Sequence, residues 1–129
     1  MKYTQKRMDQ TAIGISMLCI AHCIFLPLLL VLVPSVGLGF LANETVHQYL
    51  VCGALVISFV ALSIGCKRHN AWHVLIVGLT GLSCLVFAVV FGHDVLGEMM
   101  ERVVTLIGSG LIIACHIRNY RLCAKVPCT

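Results

Sequence analysis

Four long apolar runs, joined by short connections, make up most of this chain. A helix that crosses a bilayer needs about 20 mostly apolar residues. Runs at about 11–33, 46–65, 71–91 and 102–118 meet or approach that length. They are too long for strands, which usually stop at about 3–10 residues. The connections left between them are short, so neighbouring helices must run antiparallel. The sequence therefore predicts an all-α fold: an integral membrane antiparallel four-helix bundle, with residues 1–129 as a single four-span domain. Composition agrees, because 60% of residues are hydrophobic and only 11% charged. A soluble domain carries about a quarter charged residues, and this chain has too few to cover a water-facing surface. That excludes a soluble enzyme and a disordered regulator. The nine Lys and Arg residues are also too few and too scattered for a nucleic-acid face. The lipid bilayer is the expected partner, no enzymatic activity is expected, and no permanently bound cofactor is implied.

The basic residues set the expected orientation, since Lys and Arg concentrate on the cytoplasmic side. Lys2, Lys6 and Arg7 precede the first run, Lys67 and Arg68 lie in the second connection, and Arg118, Arg121 and Lys125 follow the fourth. These eight of the nine basic residues fall on one side of a four-span chain, Arg102 beside Glu98 and Glu101 being the exception, which predicts that both termini are cytoplasmic. Glu44, Asp94, Glu98 and Glu101 fall on the other side. The first run is too long for a cleaved signal peptide and lacks a convincing small-residue cleavage site. Gly14, Gly53, Gly78, Gly81, Gly108, Ser109, Gly110 and Ala114 are the small residues expected at helix contacts. The glycine-bearing third and fourth helices also offer a contact for a homodimer.

Eight cysteines are many for such a chain. Neither outer connection contains one, so disulfides on the oxidising side are not expected. Cys66, Cys123 and Cys128 fall on the cytoplasmic side, and Cys19, Cys23, Cys52, Cys84 and Cys115 within spans. Reduced thiols in a membrane are ligands for soft metal ions. Taken singly, Cys52 and Cys84 read as small packing residues.

Cys19, His22 and Cys23 form the pattern C-x-x-H-C. Positions i, i+3 and i+4 share one helical face. Counting from the ends of the run puts this face near the bilayer midplane, where a histidine is costly and is a functional candidate by default. Only His22, of the six histidines, is expected so deep. Pro27 has no N–H for the carbonyl of Cys23, which frees an acceptor beside the thiol. At the end of the fourth run, His116, Asn119 and Cys123 also share a face at i, i+3 and i+7. Cys66, His69 and His73 are expected at the same level, and Cys128 is a further thiol near the chain end. On the outer side, Glu44, His47, His93, Asp94, Glu98 and Glu101 form an acidic and imidazole-bearing rim that concentrates cations. Individually they read as solvated loop residues.

The C-x-x-H-C-x-x-x-P face, four spans, cytoplasmic termini and the His116…Asn119…Cys123 ending together resemble the MerC-type mercury-resistance membrane proteins. The likeness covers nearly the whole chain. It implies a small bacterial inner-membrane protein that takes up mercuric ion. It also implies that Cys19 and Cys23 receive the metal, that Cys123 and Cys128 pass it onward, and that a cytosolic thiol acceptor takes it. The departure is the spacing: the mercury-operon members carry C-x-x-C, whereas here the cysteines stand at C-x-x-x-C with His22 between them. Mercuric ion is content with two thiolates in a line, but two sulfurs and a nitrogen also suit zinc. The expected metal ligands are Cys19, His22, Cys23, His116 and Cys123, with His73, Asn119 and Cys128 as weaker candidates. Expected transport is by ligand exchange, because the chain has no nucleotide-binding motif. The alternatives are a zinc or other transition-metal transporter on the same scaffold, and a haem-binding membrane electron carrier. The latter would pair His47 with His93 and His73 with His116, as haem iron takes axial ligands from facing helices.

Overall fold

The computed structural model describes residues 2–33, 37, 39, 43–69, 71–92, 95 and 97–125, without the side chains of 2, 44 and 66–69. Four helices form in order: α1 (Lys2–Leu32), α2 (Glu44–His69), α3 (Trp72–Phe91) and α4 (Gly97–Lys125). All four are long and apolar enough to cross a membrane. The helices outrun the apolar runs. α1 begins at Lys2 rather than near residue 11, and α4 covers Gly97–Lys125 rather than 102–118. The reason is that hydropathy marks the part matched to hydrocarbon. Backbone hydrogen bonding continues through polar residues until a breaker intervenes.

Local chemistry sets the ends. Asn43 opens α2, its side-chain Oδ1 accepting from the Thr45 N–H at 3.0 Å and its carbonyl from the Val46 N–H at 3.0 Å, which meets the donors a helix start leaves unpaired. Gly97 opens α4 at φ +74, a conformation that side chains rarely tolerate.

α3 packs most extensively on α4, followed by α1 on α4 and α1 on α2, while α2 also meets α3 and α4. α4 thus touches every other helix, and α1 and α3 scarcely meet. Gly81 and Gly108 bring α3 and α4 together so closely that a Cβ on either would lie 3.0 Å from the other's carbonyl oxygen. Of the small residues expected at contacts, Gly78, Gly81, Gly108 and Ser109 are buried. Gly14, Gly110 and Ala114 face outward instead.

α1, α2 and α4 each bury one face that repeats in alternating steps of four and three residues. In α1 it is Gln5, Asp9, Ala12, Ser16, Cys19 and Cys23. In α2 it is His47, Val51, Ala54, Ser58, Ala61 and Gly65. In α4 it is Thr105, Ser109, Ile112, His116, Asn119 and Cys123. The 4–3 repeat is the seam of left-handed helix packing, but here much of the seam is small or polar. Leu, Ile, Val and Phe residues face outward, including Phe25, Val56, Phe59, Ile76 and Val90. This inverts the pattern of a soluble bundle and fits lipid as the outer solvent. Gln5 Nε2 donates to the Ala61 carbonyl at 2.9 Å, and Asp9 meets His116. The start of α1 therefore lies beside the ends of α2 and α4, on one side of the bundle, here the proximal side. The distal side holds the starts of α2 and α4.

Candidate functional site

The buried seam carries a cluster of polar groups at each end. The distal cluster is built by Cys23 of α1, His47 in the first turn of α2, and Glu101 and Thr105 early in α4. Cys23 Sγ lies 3.8 Å from His47 Nδ1. The other ring nitrogen, Nε2, faces Thr105 Oγ1 at 3.5 Å and Glu101 Oε1 at 3.6 Å. His22 stacks against His47 with ring centroids 6.2 Å apart and planes at 27°. Gly92 makes room for the Glu101 side chain, which any Cβ there would strike. Cys23 and His47 are buried, and His22 is half-buried.

Cys19 stands one turn further in, fully buried in a cluster with Val51, Ala54, Leu82, Leu85 and Ile112. The C-x-x-H-C face is thus split in depth. Cys19 keeps the expected mid-bundle level, whereas His22 and Cys23 lie nearer the distal end, beside the first turn of α2. The expected single midplane site is corrected accordingly. Beyond Cys23 no described residue of α1 is buried: Leu26, Pro27 and Leu30 are half-buried, and Phe25, Leu28, Val31 and Leu32 are exposed. α1 remains helical through Pro27.

The proximal cluster is tighter. Asp9 Oδ1 accepts from His116 Nδ1 at 2.8 Å and from Asn119 Nδ2 at 2.9 Å. Asp9 Oδ2 lies 3.0 Å from Asn119 Nδ2 and 3.3 Å from Gln5 Nε2. Asp9, His116 and Asn119 are all fully buried. Gly65 admits the Asn119 amide, which a Cβ at that position would hit. With Nδ1 taken by the carboxylate, His116 Nε2 is left buried and without a hydrogen-bond partner. Cys123 is buried on the same face of α4. Lys6 lies over the Tyr120 ring at 5.8 Å, placing a cation at the edge of this end.

Other expectations fare differently. His73 is exposed, so it does not join His116, and the inner histidine pair required for haem does not form. Burial singles out other histidines: His116 is 0% and His47 8% exposed, whereas His22 is half-buried. His47 is a buried neighbour of Cys23 rather than a solvated loop residue. Glu98 pairs instead with Arg102 on the surface of α4. Cys52 faces outward, and Cys84 is half-buried with its Cβ near Gly108. Cys115 donates to the Val74 carbonyl at 3.0 Å. Cys128, His93 and Asp94 lie outside the described residues, as do the side chains of Glu44, Cys66 and His69.

Asp9, Gln5 and Thr105 take part in these clusters although sequence reasoning gave them no role. The signal was available in the 4–3 spacing of polar and small residues through α1, which carries Asp9 in register with Cys19 and Cys23.

Among the described residues, no group of three or more His, Cys, Asp or Glu side chains stands in metal-holding geometry. What the distal cluster offers is a thiol and an imidazole side by side, with a carboxylate behind the ring. A soft ion can exchange between such ligands. The family model described as MerC mercury resistance protein matches residues 9–121. No curated protein and no solved structure matches the chain.

Proposed function

This chain belongs to the MerC mercury resistance family, and from that premise we propose that it carries mercuric ion inward across the bacterial inner membrane by ligand exchange. Both termini are cytoplasmic in this reading. Its support is the basic residues of the proximal side, including Lys6, Arg7, Arg118, Arg121 and Lys125, which follow the positive-inside pattern.

Mercuric ion enters at the distal end, where Glu98 and Glu101 favour cations. It binds Cys23 as the thiolate, so the S–H bond is exchanged for a sulfur–metal bond and a proton is released. His47 Nδ1, 3.8 Å from the sulfur, is placed to accept that proton. His22, stacked on His47, serves as a further ligand or proton acceptor. Cys19, one turn deeper on the same face, takes the ion next. His116 and then Cys123 receive it at the proximal end and yield it to cytosolic thiols, with Cys128 available near the chain end. The chain carries no nucleotide-binding motif, so the driving force is the metal gradient and tight binding by cytosolic thiols.

The observation that carries this reading is the contact of Cys23 with His47 at the distal end of a buried polar seam. The test is metal binding by purified, reduced protein, with mercuric ion and zinc in competition, together with mercuric ion uptake into vesicles. Binding and uptake should both fail in Cys19→Ser and Cys23→Ser. Cysteine-dependent binding that prefers zinc would reassign the cargo to a transition metal. Normal uptake in both variants would end the ligand-exchange mechanism.

A further inference from the structure

The two polar clusters leave the middle of the bundle unaccounted for. Three serine hydroxyls are buried there, one on each helix of the seam: Ser16 on α1, Ser58 on α2 and Ser109 on α4. None has a hydrogen-bond partner. A hydroxyl on a membrane helix has a ready solution, a bond to the carbonyl four residues back. The outward-facing hydroxyls take it: Thr11 bonds Arg7 O at 2.8 Å, Ser63 bonds Phe59 O at 2.7 Å, and Thr80 bonds Ile76 O at 3.0 Å. The seam hydroxyls do not. Buried polar groups without partners are rare and call for an explanation.

Their positions supply one. At about 1.5 Å per residue along each helix, Ser109 lies about 6 Å inward from Thr105, and Ser16 about 10 Å inward from Cys23. On the same scale Ser58 lies about 16 Å inward from His47, at the depth His116 reaches from Thr105. The polar groups therefore lie at about 6, 10 and 16 Å, with Ser58 and His116 sharing the last level, and are spread over three helices. The last of them, His116 Nε2, is also buried and unpartnered. Its orientation is fixed from the other side by the 2.8 Å bond of Nδ1 to Asp9, the arrangement that presents an imidazole nitrogen to a ligand.

We infer that the seam between α1, α2 and α4 is the route from Cys19 to the proximal end, with Ser109, Ser16, Ser58 and His116 Nε2 as its polar waypoints. The hydroxyls supply oxygen contacts to the moving ion and to the water that accompanies it. Asp9 is a positioning residue that keeps Nε2 turned into the seam. The groove on the opposite side, between α2 and α3, differs: Val56, Phe59, Leu79, Val86 and Phe91 line it, and its hydroxyl, Ser83, is exposed rather than buried.

This inference rests on the transport reading but is tested separately from it. Ser58→Cys in the full-length protein in vesicles is exposed to a small, charged methanethiosulfonate reagent. Labelling is resolved peptide by peptide against the native thiols. Val56→Cys, at nearly the same depth on the outward face of α2, is the control. Ser58→Cys should be labelled several-fold faster, and pre-incubation with mercuric ion should slow it. Labelling no faster than at Val56→Cys would overturn the route. Because the measurement needs no uptake, that outcome is distinct from failure of the transport reading. The paired variant Ser58→Ala/Ser109→Ala should lose most mercuric ion uptake, whereas Ser63→Ala should retain it. Full uptake in the paired variant would remove the hydroxyls from the path.

Discussion

The two ends of the seam use similar residues in different ways. At the distal end His47 lies 3.5–3.8 Å from Cys23, Thr105 and Glu101. At the proximal end the bonds of Asp9 to His116 and Asn119 are 2.8–3.0 Å. Short, well-aligned bonds to a carboxylate are strong, and they join α1 to α4 across most of the chain's length. Longer contacts between a thiol, an imidazole and a carboxylate are easily exchanged for a new ligand. The lesson is that one bundle carries two geometries: a proximal cluster whose short bonds join α1 to α4, and a distal cluster of longer contacts, where the proposed mechanism puts ligand exchange. In the proximal cluster, His116 has Nδ1 committed to Asp9 and Nε2 not.

The sharpest way to break this contrast is Cys23→Ser. Mercuric ion binding at the distal end should collapse, while stability in detergent changes by only about 0.5–1.5 kcal/mol, the net worth of one hydrogen bond such as that to His47. Thermal unfolding beside a binding titration checks both halves, and a large loss of stability would show that the distal cluster also holds the fold. Next comes Asp9→Ala, which takes the carboxylate away from the buried His116 and Asn119 donors. At about 1–3 kcal/mol for each bond lost, a loss of about 2–6 kcal/mol is expected in a reversible unfolding assay. A fold as stable as the parent would show that these bonds do not hold α1 to α4.

Gly108→Val tests a contact outside both clusters. The valine must displace the Gly81 carbonyl, which would stand 3.0 Å from the new Cβ, or the side chains of Leu85 and Cys84 beside it. Overpacking of this kind costs about 1–3 kcal/mol, and the same unfolding assay should record it without loss of mercuric ion binding. Glu98→Gln should have the smallest effect. It removes only the surface pair with Arg102, and exposed i,i+4 pairs contribute about 0.3–0.5 kcal/mol. A loss as large as that of Asp9→Ala would erase the distinction between buried and surface pairing.

The spans and the helical fold were legible because hydrocarbon imposes a length and a composition that 129 residues could meet in one way. The shared face of Cys19, His22 and Cys23, and that of His116, Asn119 and Cys123, were legible because helical spacing is local. Asp9 shares their 4–3 register, but its partners were not legible, because they lie 107 and 110 residues away. His47 was misread for a related reason: position near a loop implies solvent, but burial follows from which face of α2 meets α1 and α4. The depth of Cys23 depended on how far α1 projects past its neighbours, and no periodicity within α1 encodes that.

The near-absence of contact between α1 and α3 has a practical consequence. α3 supplies none of the polar residues of the seam; its Leu82 and Leu85 join the apolar cluster around Cys19, and Gly78 and Gly81 brace α4. Its outward residues, such as Thr80, Ser83 and Val86, are exposed. A spectroscopic label attached there would report the tilt and spacing of the bundle while leaving the cargo's ligands untouched. α3 is thus the natural place from which to watch this protein work.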